Sequence, residues 1–229
     1  MRIGTGEFTD SLVLDRVSGF SKELIEYFSS KENCILELKT KSAEVDHILN
    51  FDHNKKTIVG WSLNPEHIVK TQELGTAPLK MRLEAAKKCI AAGYDVAFHF
   101  DPIFFYDTWE KDYKEVVEAI FAHIPEKNIA WISLGALRFK PMLKDIIEAR
   151  FPETNITCQE LDIASDHKLR YFAPMRVEIF KKMHNLIREY SQDILVYLCM
   201  ESQEVWHRSG IRNNEQNPYW KYFRFCLKA

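Results

Sequence analysis

No stretch of this chain approaches the ~20 consecutive apolar residues of a membrane-spanning helix. The opening Met-Arg-Ile-Gly-Thr-Gly-Glu lacks the apolar core of a secretory signal. Cysteine is sparse: five residues (Cys34, Cys89, Cys158, Cys199, Cys226) are scattered singly, never at the short spacings that clamp zinc or an iron–sulfur cluster. Their odd number argues against a disulfide framework. Several sit in apolar runs, where a thiol acts as a small buried hydrophobe. Basic charge is not in excess either. A formal net charge of −2 excludes a broadly basic nucleic-acid binder and leaves only a local basic patch. From these absences the expectation is a soluble, cytoplasmic protein without a cysteine-clamped metal site.

What is present is enough apolar content, 46% of 229 residues, for one domain with a real core. Strand candidates are Arg2–Glu7, Cys34–Thr40, Thr57–Leu63, Tyr94–Phe100 (ended by Pro102), Asn128–Leu134, a weak Ile156–Leu161, and Asp193–Cys199. Between them lie helix-like stretches: Asp15–Ser30, a short one at Glu44–Leu49, one begun by Asn64-Pro65, and Leu79–Ala92. Further helices are expected at Thr108–His123, from a threonine cap, and at Lys140–Arg150, Pro174–Tyr190 and Glu201–His207. Strands alternating with helices predict a parallel sheet with helical crossovers. A full eight-fold barrel takes ~250 residues, so residues 1–212 are expected to form an incomplete barrel or an open sheet. The chain opens on a strand with no element before it, so the sheet is expected to continue outside this sequence. Residues 213–229 read as an aromatic, basic tail without a clear period.

Four of the strand candidates stop abruptly at polar side chains: Lys41; Ser62 and Asn64; His99 and Asp101; and, after a longer run, Arg138. In alternating barrels the carboxyl ends of strands carry the chemistry, so an enzyme-type site is the expectation. Lys41 suits a carboxylate or phosphate. Ser62 and Asn64 share a face and suit a ribose or an amino-acid moiety, although Asn64 before Pro65 also fits a helix cap. His99 and Asp101 share a face and form a candidate acid–base pair; a lone strand histidine is more often a satisfied core residue. Arg138 would clamp an anion. Glu7, Thr9 and Asp10 place further polar groups at the same mouth, whereas Gly4-Thr5-Gly6 is too short for a phosphate loop. The tail segment Tyr219-Trp-Lys-Tyr-Phe-Arg-Phe225 has a composition suited to stacking on bases, although an aromatic strand or docking tail looks the same and is the preferred reading.

One ordered set of motifs resembles a known family. Leu38-Lys-Thr-Lys41 with Val45-Asp-His-Ile-Leu49, Trp61-Ser-Leu-Asn64, Arg82-Leu-Glu-Ala-Ala86 with Ala92-Gly-Tyr94, Asp101-Pro-Ile103, Trp109-Glu-x-x-Tyr113 and Leu137-Arg-Phe139 look like the later two-thirds of spore photoproduct lyases and related radical S-adenosylmethionine proteins. The resemblance runs from about Gly4 to about Arg150. It implies an α/β fold, a partial (β/α)6 barrel of the radical-SAM type with its N-terminal units missing. It further implies S-adenosylmethionine and a four-iron four-sulfur cluster as cofactors, and a DNA photoproduct, or other nucleic acid, as partner. By the same resemblance Lys41 and Ser62 contact the cofactor, Thr9 lies near its binding surface, and Arg138 falls near the substrate mouth; from their strand-end placement Asn64 is grouped with the cofactor residues, and Glu7, His99 and Asp101 are expected to face substrate with Arg138. Two departures are plain. The CxxxCxxC cluster motif is absent, and Glu7 stands near where the family's hydrogen-donating cysteine falls. The expectation is a lyase-like chain not competent alone. Alternatives are a cluster-free α/β enzyme using His99 and Asp101 on a small anion, or a nucleic-acid-binding remnant working through its tail.

Overall fold

Unbroken apolar runs in a parallel sheet demand cover on both faces, and here both faces are covered. The computed structural model describes residues 1–6 and 9–223. In chain order the elements are β1 (Arg2–Thr5), α1 (Asp15–Ser18), α2 (Phe20–Ser29), β2 (Ile35–Thr40) and β3 (Thr57–Ser62). Then come α3 (Glu66–Gln72), α4 (Leu79–Ala91), β4 (Asp95–Ile103), α5 (Trp109–His123) and β5 (Ile129–Ala136). Next are β6 (Arg138–Phe139), α6 (Met142–Arg150), β7 (Leu161–Ile163) and β8 (Leu169–Tyr171). The final elements are α7 (Ala173–Tyr190), β9 (Leu195–Leu198) and α8 (Gln203–Ser209).

Six strands form one parallel sheet in the order β1-β2-β3-β4-β5-β9. The sheet curls. Arg2 on one edge strand donates a hydrogen bond to the Tyr197 hydroxyl on the other, and its guanidinium lies 5.6 Å from the Trp131 ring centroid. The convex side carries Leu36, Leu38, Val59, Val96, Phe98, Ile132 and Leu134, packed with Ile25, Leu83, Val117, Ile120 and Phe180 from the helices. On the concave side Ile35, Ile58, Ala97, Trp131, Leu195 and Tyr197 meet Tyr222 and Phe223 from the C-terminal segment. This is the partial α/β barrel that the alternation of elements predicts.

Several sequence expectations are corrected. The Asp15–Ser30 helix is two helices broken at Gly19, whose φ of +69° is the left-handed conformation glycine accepts readily. Asp15, buried ahead of the break, accepts from the Ser21 amide at 2.9 Å and so serves the free N-terminus of α2. Val17 and Phe20 consequently face solvent rather than the core. Residues 46–50 form turns, not a helix, although Val45 and Ile48 are buried. Pro102 does not end β4: pairing with β5 shifts register after Phe100 and resumes at Ile103. Neither Asn64 nor Thr108 caps a helix with its side chain; the Thr108 hydroxyl donates to Asp112 at 2.8 Å instead. The weak strand before Leu161 is turn, and a second, antiparallel sheet appears in the order β6-β8-β7. Its strands of two or three residues are too short to show a period of two.

The described part of the tail is folded onto the barrel. The Asn213 amide bonds both the N–H and the C=O of Val196, at 2.8 and 2.7 Å, and so occupies the outer edge of β9. The Tyr219 hydroxyl donates to Asp95 at 2.6 Å, and Tyr222 and Phe223 are buried. Phe225 and the rest of 224–229 lie outside the described residues. Among the described residues no helix is long and apolar enough to cross a membrane.

Candidate active site

Inward-facing side chains occupy levels along the barrel, because parallel strands in register bring alternate residues to common heights. The lowest level is apolar, closed by Tyr222 and Phe223. Above it, Glu37 on β2 reaches His99 on β4, with Oε1 2.6 Å from Nε2, over an intervening β3 that carries only Gly60. A Cβ at Gly60 would lie 2.8 Å from that ring nitrogen and 3.0 Å from Glu37 Oε1. Glycine is what lets the pair close. Trp131 Nε1 donates to the same carboxylate oxygen at 3.1 Å, and Arg2 lies 3.4 Å from its other oxygen. His99 Nδ1 meets the Ser133 hydroxyl at 2.6 Å. Burial works against the Glu37 charge, but the His99 charge and hydrogen bond, together with Arg2, outweigh it and hold the carboxyl at about 2. An ionised carboxylate only accepts, so Nε2 of His99 carries a hydrogen and donates it.

The upper level opens as a cavity of about 410 Å³ at the carboxyl ends of the strands. Thr9, Lys41, Ser62, Asp101 and Arg138 all line it, with Asp10, Lys39 and Thr76. Arg138 grips Asp101 with two parallel bonds of 2.6 and 3.0 Å, the strongest planar pairing these groups make. Burial alone would raise the Asp101 pKa, yet these bonds hold it below the usual carboxylate value. Gly135 makes the room, since a Cβ there would sit 2.5 Å from Asp101 Oδ1. Cys199 adjoins the pair, 3.5 Å from Arg138, and its thiol is pushed up to about 12 by burial and by the Asp101 charge. Asp10 staples the mouth: its carboxylate accepts from the Thr40 hydroxyl at 2.7 Å and from the Lys41 amide at 2.6 Å.

Three sequence expectations need restating. His99 and Asp101 share a face but form no acid–base pair; His99 is 1% exposed and bonded to Glu37 and Ser133, while Asp101 belongs to Arg138. His99 does not line the cavity. Asn64 lies behind the wall, buried, donating to Glu73 at 2.9 Å and accepting from Tyr113 at 2.6 Å. Glu7 lies outside the described residues. Lys41 is not a lone cation: its ammonium is 2.7 Å from Glu73. Glu37, Glu73 and Arg82 escaped the sequence reading. Glu37 carried a signal, a single charge inside the apolar run Ile35-Leu36-Glu37-Leu38; Arg82 stood only at the head of the motif Arg82-Leu-Glu-Ala-Ala86, with no role attached to it.

A family model described as spore photoproduct lyase matches residues 2–196. The chain belongs to the spore photoproduct lyase family. The spore photoproduct lyase of Bacillus subtilis (strain 168) is 34% identical over 165 residues, which are 71% of this chain and 46% of that protein. That of Clostridium acetobutylicum is 30% identical over 148 residues, 65% of this chain and 44% of its own length. This chain thus spans about half the length of these relatives. A solved spore photoproduct lyase complexed with dinucleoside spore photoproduct shares 25% identity at a TM-score of 0.77, over 86% of this chain and 60% of that one. A solved double variant of a spore photoproduct lyase with bound AdoMet and dinucleoside spore photoproduct aligns at a TM-score of 0.76, with 25% identity and the same coverage.

The two cofactors implied by the family fit unequally. The cavity, lined by Lys39, Lys41 and Arg138 as well as Asp10 and Asp101, suits a ligand of the size of S-adenosylmethionine that carries charges of both signs. An iron–sulfur cluster does not fit. Among the described residues no three His, Cys, Asp or Glu side chains gather as a metal site, and Cys34, Cys89, Cys158 and Cys199 are free and dispersed.

Proposed function

We propose that this chain forms the cofactor- and substrate-facing wall of a radical S-adenosylmethionine lyase of the spore photoproduct lyase type, with the cluster ligands supplied from outside its described residues. The observation that carries this reading is one cavity, at the carboxyl ends of parallel strands, collecting Thr9, Lys41, Ser62, Asp101 and Arg138. In this reading Lys41 and Ser62 receive the carboxylate of S-adenosylmethionine, and Thr9 lines its approach. Asp101, held ionised by Arg138, offers a negative group to the positive end of the ligand. S-adenosylmethionine brings to such a site a source of an organic radical. The residues of this chain bind it, orient it and exclude water around it.

Arg138 faces substrate, where a guanidinium suits the phosphate of a nucleic acid. The dinucleoside photoproduct bound by solved relatives supports a nucleic-acid lesion as the substrate class. Because Glu7 stands near the position of the family's hydrogen-donating cysteine, thymine-dimer repair itself is not assigned. The cluster-free acid–base alternative lacks its pair, since His99 is sealed beneath the cavity.

Equilibrium dialysis of S-adenosylmethionine against the wild-type chain and Lys41→Met is the direct test. At least a tenfold loss of affinity is expected; equal affinities would remove the cofactor reading. Anaerobic reconstitution is expected to leave iron and labile sulfide well below stoichiometry. One full cluster per chain would overturn the view that the ligands come from elsewhere.

A further inference from the structure

Behind the cavity wall lies an ionic hub that the reading above does not use. Arg82 of α4 is wholly buried, and its guanidinium spends its donors on the structures that frame the cavity. Nη1 donates to the Ser62 carbonyl at 2.7 Å, Nε to the Ala77 carbonyl at 2.7 Å, and Nη2 to both Thr76 Oγ1 and Glu73 Oε2 at 2.7 Å. The other oxygen of Glu73 accepts from Asn64 at 2.9 Å and meets the Lys41 ammonium at 2.7 Å. The Ala77 amide closes the circuit on the Lys41 carbonyl at 3.0 Å. Glu73 is therefore the side-chain link between a fixed, solvent-free cation and the Lys41 ammonium. Its side chain is 4% exposed while that of Lys41 is 31% exposed. A flexible four-carbon stem with three rotatable donors has many positions open to it at such a mouth; a carboxylate locked from behind leaves it one.

We infer that Glu73 is a positioning residue for this site: braced by Arg82, it holds the Lys41 ammonium at the cavity wall in the place where a ligand carboxylate is received. This deepens the cofactor reading and rests on it for the identity of the ligand. The hold on Lys41 itself stands on geometry alone. A neutral amide at position 73 keeps the shape and part of the hydrogen bonding but gives up the charge that faces both cations.

The test uses the full chain and two readouts. The first needs no ligand: labelling of lysines by an amine-reactive reagent, read by mass spectrometry with exposed Lys111 as internal reference. Glu73→Gln is expected to raise the Lys41 labelling rate several-fold and leave Lys111 unchanged; an unchanged Lys41 rate overturns the inference. Should Glu73→Gln fail to fold by circular dichroism, Glu73→Asp serves instead, since it keeps the buried charge against Arg82 and withdraws the carboxylate from Lys41. The second readout is dialysis of S-adenosylmethionine in a double-mutant cycle. Glu73→Gln alone is expected to weaken binding about tenfold, and to add nothing in a Lys41→Met background. A full further loss in that background makes Glu73 a structural residue and overturns the inference. Absence of any Lys41→Met effect sinks the cofactor reading instead, and the labelling result then decides the hold by itself.

Discussion

Two levels of the same barrel hold ion pairs of similar chemistry in opposite circumstances. In the lower level, Glu37, His99, Ser133, Trp131 and Arg2 bond one another in a space closed below by aromatic rings. In the upper level, Asp101 with Arg138 and Glu73 with Lys41 form equally short contacts on the wall of an open cavity. The lower groups have no alternative partner, so their pairing is a matter of folding. Among the upper groups Lys41, Asp101 and Arg138 line the cavity, so their pairing is available to binding. What separates a structural pair from a functional one here is access, not residue type.

The sharpest way to break that contrast is to remove one lower partner. Glu37→Ala strands the Arg2 guanidinium, the His99 Nε2–H and an indole N–H, and is expected to cost about 3–5 kcal/mol in urea unfolding, as for other broken buried pairs. A loss below ~1 kcal/mol would place this level among the exchangeable ones. Acid supplies a related lever. The folded Glu37 carboxyl lies at about 2 against an ordinary 4.5, so its contribution is fully present above pH ~4.5 and is lost as pH falls toward 2. That corresponds to about 3 kcal/mol of stability. Stability against pH should show this loss in wild type and lose the Glu37 part of it in Glu37→Gln.

The glycines sharpen the comparison at intermediate magnitude. Gly60→Ala pushes a methyl into the fixed His99–Glu37 contact, with an expected cost of about 1–3 kcal/mol. Gly135→Ala drives a methyl closer still, 2.5 Å from Asp101 Oδ1 against 2.8 Å from His99 at Gly60, but that carboxylate borders a cavity into which it can move. Thermal or urea unfolding should give it the smaller loss, about 1 kcal/mol, with Arg138 released. Equal costs would deny the difference in freedom between the levels. The smallest stability effect belongs to Lys41→Met. Its partly exposed ion pair is expected to change unfolding by less than ~1 kcal/mol while the dialysis signal falls.

Much of this was readable before any coordinates. The strand runs ending at Lys41, Ser62, Asp101 and Arg138 announce their shared cavity, because parallel strands joined by helices present all their carboxyl ends on one side. The partners of those side chains were not readable. His99 lies two positions from Asp101 in sequence yet bonds Glu37, 62 positions away, across a strand that happens to carry glycine. Lys41 looks like a free cation until Glu73, in the turn after α3, is placed beside it. The antiparallel trio at Arg138–Phe139, Leu161–Ile163 and Leu169–Tyr171 is too short to leave a pattern.

Local periodicity, then, was enough to determine the parallel α/β architecture and the end of the barrel where chemistry gathers, since both follow from the order and direction of the strands. Only the tertiary structure decided which charge meets which, and which pairs are sealed from water. Those choices depend on distances between residues far apart in the chain, and on the one-residue gaps left by Gly60 and Gly135, which no local pattern encodes.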